Sequence, residues 1–241
     1  MAITDKEEGV WGLDQVYNKI NQGGIWDYDG VTAWFGMGKN YYGDLGFNDR
    51  AGRSSPTQLP ADPTWSKITC NSGRGFFGLK TDGTAWAWGY NDQGQLGINI
   101  GKPPYIPSKD RSSPCQIGTD TNWGSKFSRS DTDSLWIKTD GTLWSWGRNS
   151  RGNLGQNNKT TYSSPKQIPG TTWAKVHAAG EFSFATKTDG TLWTWGRNDE
   201  GYLGQNNAVW YSSPVQISGT TWSDVSGYSQ STIATKTDGT L

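Results

Sequence analysis

The feature that most constrains this chain is an internal repeat. KTDGTAWAWGYNDQGQLG (80–97), KTDGTLWSWGRNSRGNLG (138–155) and KTDGTLWTWGRNDEGYLG (187–204) are copies of one run, and KTDGTL (236–241) opens a fourth. Each full copy is followed by Ser-Ser-Pro, in SSPCQI (112–117), SSPKQI (163–168) and SSPVQI (212–217), and SSPTQL (54–59) is the same element upstream. A lone tryptophan follows each one: Trp65, Trp123, Trp173 and Trp222. Pro56, Pro114, Pro165 and Pro214 stand 58, 51 and 49 residues apart. A period of about fifty residues marks a series of like supersecondary units stacked on one another.

Each unit predicts short strands. Trp-x-x-Val, as in Trp173 to Val176, is one. A second runs into Asp-Gly, a strong hairpin signal. Leu-Trp-x-Trp is a third. The fourth follows Ser-Ser-Pro, where proline suits a strand start or a sheet edge. No stretch of the repeat keeps a helical period. Four strands per unit at this period predict an all-β fold, a β-propeller of four-stranded blades. Side chains alternate along a strand, so Trp144 and Trp146 share a face. With blades packed face to face, one such pair per blade is expected to wedge into the next. Gly147, Gly152 and Gly155 allow positive φ or a close backbone approach. Asn149 is placed to hold the bend by local hydrogen bonds.

Composition agrees with a core of few, large groups. The 241 residues suit one large all-β domain or two small ones. They include 15 tryptophans and 33 glycines, while hydrophobic content is only 32%. A large aromatic ring buries about 150–250 Å², on the order of 4–6 kcal/mol of gross transfer free energy before entropy is subtracted. Lysine plus arginine balance aspartate plus glutamate at 22 each, with no long run of one sign, so charge points to no nucleic acid. No apolar stretch approaches membrane-spanning length, so no membrane insertion is expected. MAITDKEEGV lacks an apolar signal core. Cys70 and Cys115 are too few for a disulfide framework and are expected as buried thiols.

The run W-x-W-G-x-N-x-x-G-x-L-G, at 86–97, 144–155 and 193–204, resembles the repeat of the regulator of chromosome condensation family. The likeness extends over about residues 31–241. It implies a propeller, usually of seven blades in that family, whose founding relative is a guanine-nucleotide exchange factor. The leading unit, AWFGMGKNYYGDLG (33–46), departs from the pattern, with Phe35 and Met37 at the Trp-pair positions. Joining the leading and trailing part units would close four blades. The alternative is part of a larger ring, and the stop at Leu241, just before an expected Trp-x-Trp-Gly, favours an incomplete chain. Residues 29–241 are thus expected to form the propeller and residues 1–28 an N-terminal segment.

In EGVWGLDQVYNKINQGGIW (8–26), Val10, Leu13, Val16, Tyr17 and Ile20 fall near helical spacing, with Trp11 beside them. The pattern G-V-W-x-L-x-x-V-Y is similar to the start of virion structural proteins of tailed phages, particularly marine ones. That resemblance implies that these six residues anchor or dock the protein, and that it is made in the host cytoplasm and resides in the virion. A lid over the propeller's own edge is the alternative.

A catalytic centre needs a nucleophile with its base, paired carboxylates or metal ligands. His177 is the only histidine and falls at the end of a predicted strand. There is no G-x-S-x-G elbow, no zinc-spaced Cys/His cluster and no P-loop or dinucleotide fingerprint. No catalytic residue, cofactor or metal is expected. Lys138 and Asp140 recur in every KTDG and read as architecture.

Function is instead expected where the copies differ. Eight residues before each hairpin aspartate stand Arg74, Thr132, Glu181 and Gln230, flanked by Asp131, Asp133, Phe182 and Tyr228. In a propeller this loop lies on one face near the axis, so the set would form a varied polar ring, although neutral drift of exposed residues gives the same pattern. INIGKPPYIPSKDR (98–111) is seven residues longer than its counterparts, is stiffened by three prolines and presents Tyr105. Trp136 and Trp210 break the repeat, and Trp210, beside Tyr211, is expected at the surface.

The reading these observations support is a non-enzymatic virion structural protein at a tail, fibre or capsid surface. It would present loops to other virion proteins, a host surface receptor, a glycan or a second copy of itself. The alternatives are a glycan-binding lectin using Tyr105, Trp210 and Tyr228, a guanine-nucleotide exchange factor, and an inhibitor protein.

Overall fold

The computed structural model describes residues 33–60, 62–69, 74–100, 109–228 and 231–239. The anchor residues Val10, Trp11, Leu13, Val16, Tyr17 and Ile20, and also Cys70, Tyr105 and Gln230, lie outside the described residues. Sixteen strands are described, and among the described residues there is no α-helix.

β1 (Phe35–Gly38) and β2 (Arg53–Gln58) form an antiparallel pair. Three four-stranded antiparallel sheets follow in simple up-and-down order. The first comprises β3 (Trp65–Thr69), β4 (Gly75–Lys80), β5 (Ala85–Gly89) and β6 (Arg111–Gln116). The second comprises β7 (Trp123–Arg129), β8 (Asp133–Lys138), β9 (Leu143–Gly147) and β10 (Tyr162–Ile168). The third comprises β11 (Trp173–Ala178), β12 (Phe182–Lys187), β13 (Leu192–Gly196) and β14 (Tyr211–Ile217). β15 (Trp222–Tyr228) and β16 (Ser231–Lys236) form a last pair. By sequence the leading pair supplies strands three and four of a sheet, and the trailing pair strands one and two. Among the described strands these two pairs do not join: β1 pairs only with β2, and β16 only with β15.

The first strands of successive sheets approach one another, β7 with β11 and β11 with β15, which makes them the innermost. Pro114, Pro165 and Pro214 all lie on the outermost strands β6, β10 and β14, where a missing N–H costs no ladder bond.

The Asp-Gly turn differs from the two-residue turn that its sequence favours. Lys80 N–H bonds Thr84 O at 3.0 Å across a Thr-Asp-Gly loop, and only the glycine has positive φ (Gly83, 79°). The reason is the aspartate side chain. Asp82 Oδ1 accepts from Thr84 N–H at 2.9 Å and Thr84 Oγ1 at 2.7 Å, and Asp140 and Asp189 repeat this with Thr142 and Thr191. The same threonine hydroxyls accept from the first indole of each pair, Trp86, Trp144 and Trp193, all at 2.9 Å. The KTDG lysine completes the unit: Lys138 Nζ lies 4.8 Å from the Trp123 ring and 4.1 Å from the Trp144 ring, and Lys80 and Lys187 sit alike. Such cation–π contacts are worth about 0.5–2 kcal/mol each.

The second indole of each pair joins neighbouring sheets, and it reaches back into the preceding one instead of forward. Trp88, Trp146 and Trp195 are fully buried. Their Nε1 groups donate to Asp44 O, Gln95 O and Asn153 O at 3.0, 2.9 and 2.8 Å. These carbonyls sit in the loop after the third strand of the preceding unit, which Asn40, Asn91 and Asn149 hold from inside. Asn149 Oδ1 accepts Leu154 N–H at 2.9 Å while its amide donates to Asn158 O at 3.0 Å. The loop also docks forward. Asn99 and Asn157 N–H bond Ser163 O and Ser212 O of the next Ser-Ser-Pro strand, both at 2.7 Å. Gly152 (φ 78°) makes that docking possible, because a Cβ there would lie 2.8 Å from Ser212 Cα.

Candidate functional site

Loops between first and second strands, and loops between third and fourth strands, open at the same end. One backbone bond ties them together in every complete sheet. Tyr90, Arg148 and Arg197 N–H donate to Arg74, Thr132 and Glu181 O at 2.8, 2.9 and 2.9 Å. The backbone is therefore common to the three sheets, whereas the side chains it presents are not.

In the first sheet the pair is cationic and aromatic. Arg74 is exposed, its guanidinium lies 5.1 Å from the Tyr42 ring and 5.5 Å from the Tyr90 ring, and it donates to Tyr42 Oη at 3.0 Å. Burial, with a hydrogen bond to Asp92, pushes the Tyr90 hydroxyl well above its ordinary pKa. In the second sheet Asp131 is exposed, and its carbonyl accepts from Gln95 of the preceding loop at 3.3 Å. Asp133, one residue past Thr132, is fully buried and bonds the Ser130 hydroxyl. Desolvation raises its pKa to about 7 against the pull of Ser130 and other donors.

In the third sheet the pair becomes an ion network. Glu181 bonds Arg197 at 2.7 Å and Arg151 of the preceding loop at 3.4 Å. Arg197 also bonds Asp199. Asp199 in turn accepts Trp210 Nε1 at 2.6 Å. Arg151 and Lys159 lie 4.8 and 5.1 Å from the Trp210 ring. Burial pushes Glu181 upward, but the two arginines outweigh it and hold its pKa below the ordinary range. The hydrogen bond from Arg197 holds Asp199 low as well.

Two of the sequence-predicted residues, Glu181 and Trp210, are thus brought into one surface network. Trp210 is half-buried, not free at the surface, because Asp199 and two cations hold it. Phe182 is fully buried against Phe184 and stacks on Tyr202 with ring centroids 5.2 Å apart, so it belongs to the core and not to a contact surface. Asp133 is likewise enclosed. Tyr228 ends β15 in register with Ser231. Arg151, Arg197 and Asp199 were not singled out from sequence. The available signal was the variable position of W-G-x-N, occupied by Tyr90, Arg148 and Arg197. His177 is half-buried and its Nε2 meets Gly227 O of the next strand pair. Trp136, where the repeats otherwise carry Gly78 or Ala185, is fully buried against Phe127 and donates to Gly124 O at 2.6 Å. Among the described residues no group of three or more His, Cys, Asp or Glu side chains could hold a metal ion.

A series of four-stranded antiparallel sheets, joined by buried indoles with the innermost strands adjacent, is a β-propeller architecture. Three stretches, 82–127, 140–186 and 189–234, match the model of the regulator of chromosome condensation (RCC1) repeat and cover more than half of the chain. The chain belongs to the RCC1-repeat family. It is 30% identical over 144 residues to the human E3 ubiquitin-protein ligase HERC2, spanning 58% of this chain and 3% of that one. It is 29% identical over 143 residues to the human X-linked retinitis pigmentosa GTPase regulator, spanning 58% of this chain and 13% of that one. The fold is similar to that of Prp20p from Saccharomyces cerevisiae, with a TM-score of 0.68 at 17% identity, covering 85% of this chain and 52% of Prp20p. The chain therefore spans about half of that solved propeller and a small part of the relatives it matches.

Proposed function

We propose that the chain is a non-enzymatic interaction module that binds a protein partner through the loop end carrying Glu181, Arg197, Asp199, Arg151 and Trp210. The observation that carries this reading is a contrast. A backbone bond common to all three sheets presents a different side-chain pair in each, and only the third builds a network that bridges two sheets around an indole. A preorganised arginine and tryptophan surface has the composition of an interface anchor. The relatives add support of a coarser kind: the structural report on Prp20p describes its binding to Gsp1p and histones, and another relative is named a GTPase regulator. A glycan lectin is less well supported at Trp210, whose ring is already engaged by two cations.

The test compares captured partners of the wild-type chain with those of Arg197→Glu and Trp210→Ala in parallel, from the same lysate. A partner lost at least tenfold with either substitution supports the reading, and a partner set unchanged by both refutes it. Two finer readings then separate. Accelerated nucleotide release from a captured GTPase favours a regulator of the exchange-factor kind, one relative being named a GTPase regulator. Capture of capsid or tail proteins favours display on a phage particle, with residues 8–26 as the anchor.

A further inference from the structure

The KTDG lysine of each complete sheet sits over two indoles, but its charge is answered differently from sheet to sheet. Lys80 Nζ pairs with Asp62 Oδ2 at 2.9 Å, and Lys138 Nζ with Asp120 Oδ2 at 2.8 Å. Both aspartates stand three residues before the first tryptophan of their sheet, in the link from the preceding outermost strand. In the third sheet that position is Gly170, and the link is one residue shorter: four residues separate Ile168 from Trp173, whereas five separate Ile117 from Trp123. Lys187 Nζ keeps its place, 4.7 Å from the Trp173 ring and 4.5 Å from the Trp193 ring, but no acidic side chain among the described residues pairs with it. Asp189, close by in sequence, is committed to Thr191. With Asp120 in place the Lys138 side chain is only 6% exposed, whereas Lys187 is half-buried. A Cβ on Gly170 would lie 3.7 Å from Lys187 Nζ, so the glycine leaves open the space from which the aspartates reach their lysines. Here a cleft of about 320 Å³ is lined by Trp173, Trp193, Lys187, Pro169 and Pro214, with Gln167 at its side. All of these residues belong to the second and third sheets and the link between them, and both sheets are complete.

We propose that this cleft is a carboxylate-binding site, and that its ligand is an aspartate or glutamate side chain of a partner polypeptide, paired with Lys187 between the indole and proline walls. The filled copies identify the chemistry, since the same lysine over the same two rings takes an aspartate oxygen in the first and second sheets. Lys187 is the one charged residue lining the cleft, and a single ammonium in apolar surroundings matches a monovalent carboxylate better than a phosphate. A polypeptide is favoured over a free acid for two reasons. In the filled copies the carboxylate rides on an extended stretch of main chain. The walls also come from β10 and β14, the outermost strands of neighbouring sheets, so the cleft opens on the rim, where a chain segment can lie along it. Lys187 ends β12 and Gly170 links β10 to β11, which places the cleft at the hairpin end of the sheets. The Glu181–Arg197 loops are at the other end, and this site stands whether or not they bind a partner.

The test titrates the peptide of residues 117–122, Ile-Gly-Thr-Asp-Thr-Asn, capped at both ends, into the full chain and follows the indole N–H resonances by nuclear magnetic resonance. Expected are saturable shifts centred on Trp173 and Trp193. The same peptide with Asp120→Asn, and free butyrate, are each expected to bind at least tenfold more weakly. In the chain, Lys187→Gln is expected to lose the peptide and Lys187→Arg to keep it. Gly170→Asp supplies an internal carboxylate and is expected to lose the peptide, whereas Gly170→Asn keeps it. Asp and Asn are alike in size and tolerate the positive φ at this position better than other side chains, so that pair separates charge from fold. Absence of binding by the wild-type chain, shifts centred away from Trp173 and Trp193, or equal affinity for the Asn peptide overturns the proposal. So do equal binding of butyrate, tighter binding of the peptide with phosphoserine in place of its aspartate, and equal effects of Gly170→Asp and Gly170→Asn.

Discussion

Gly152 and Gly201 are equivalent residues of successive repeats with nearly the same backbone, φ 78° and 80°. Their surroundings differ. A Cβ on Gly152 would lie 2.8 Å from Ser212 Cα, but on Gly201 it would meet nothing within 4 Å. Replacing each by alanine separates backbone strain from docking between sheets. The left-handed conformation costs an L-residue about 1–2 kcal/mol. Loss of glycine's freedom in the unfolded chain returns about 0.4–1 kcal/mol. Gly201→Ala is therefore expected to cost about 0.5–1 kcal/mol. Gly152→Ala bears the same strain plus a backbone clash. Carbon atoms rest about 3.5–4.0 Å apart, so the two sheets must separate by about 1 Å at this point. The Asn157 N–H bond to Ser212 O, 2.7 Å long, stretches with them. Losing that bond costs about 1 kcal/mol, and the loosened contact a further 1–2 kcal/mol or so. The expected total is about 2.5–4 kcal/mol for Gly152→Ala. Urea unfolding of both variants, followed by far-ultraviolet circular dichroism at constant m-value, measures the difference. Equal losses, or a loss below about 1 kcal/mol at Gly152, would mean that the loop does not dock on the next strand as described.

Three further outcomes are expected. Trp146→Ala empties a fully buried slot and should cost about 3–5 kcal/mol, whereas Trp144→Ala, at a half-buried ring, should cost less than half of that in the same urea assay. Asp133 has its folded pKa raised to about 7 from an unfolded value near 3.8. The native state then holds the extra proton, so this contribution to stability is complete below about pH 4 and lost as pH rises through about 7. The wild-type melting temperature should fall from pH 5 to pH 8, and Asp133→Asn should flatten that slope, a change on the order of 2–4 kcal/mol. Glu181→Gln should cost less than about 1 kcal/mol, since its partners are solvent-screened. That small cost should vanish in about 1 M salt, where the Debye length is about 3 Å; a cost that survives would place the network in a drier setting than its exposure indicates.

The fold was legible because the repeat states the same rule several times. Strand positions, the edge prolines and the covering of both sheet faces all follow from alternation and the period of about fifty residues. The direction of the wedge was not legible. Trp144 and Trp146 must share a face, but alternation cannot say whether that face looks forward or back. The backward direction is set by a carbonyl at Gln95, some fifty residues away, and by Gly97, which leaves room for the ring. Asp-Gly misled for a local reason, since the aspartate is committed to capping Thr84 and leaves only the glycine to take positive φ.

The candidate site was half legible for a reason that concerns repeats in general. Comparing copies at one position picks out Arg74, Thr132 and Glu181 as variable, yet variation alone does not distinguish a contact residue from a neutral one. What distinguishes Glu181 is that residues at two other variable positions changed with it: Arg197 across the shared backbone bond, and Arg151 in the preceding loop. Tyr42, Arg74 and Tyr90 occupy those same three positions two junctions earlier, and they too touch one another. The unit of variation is therefore a triplet spread over two repeats. Phe182 fell outside this logic because the strand begins there and its side chain turns into the core, where burial and not contact decides the residue. A search of such chains for function gains from scoring the three positions jointly, since a backbone held constant by the repeat converts their side chains into one composite surface.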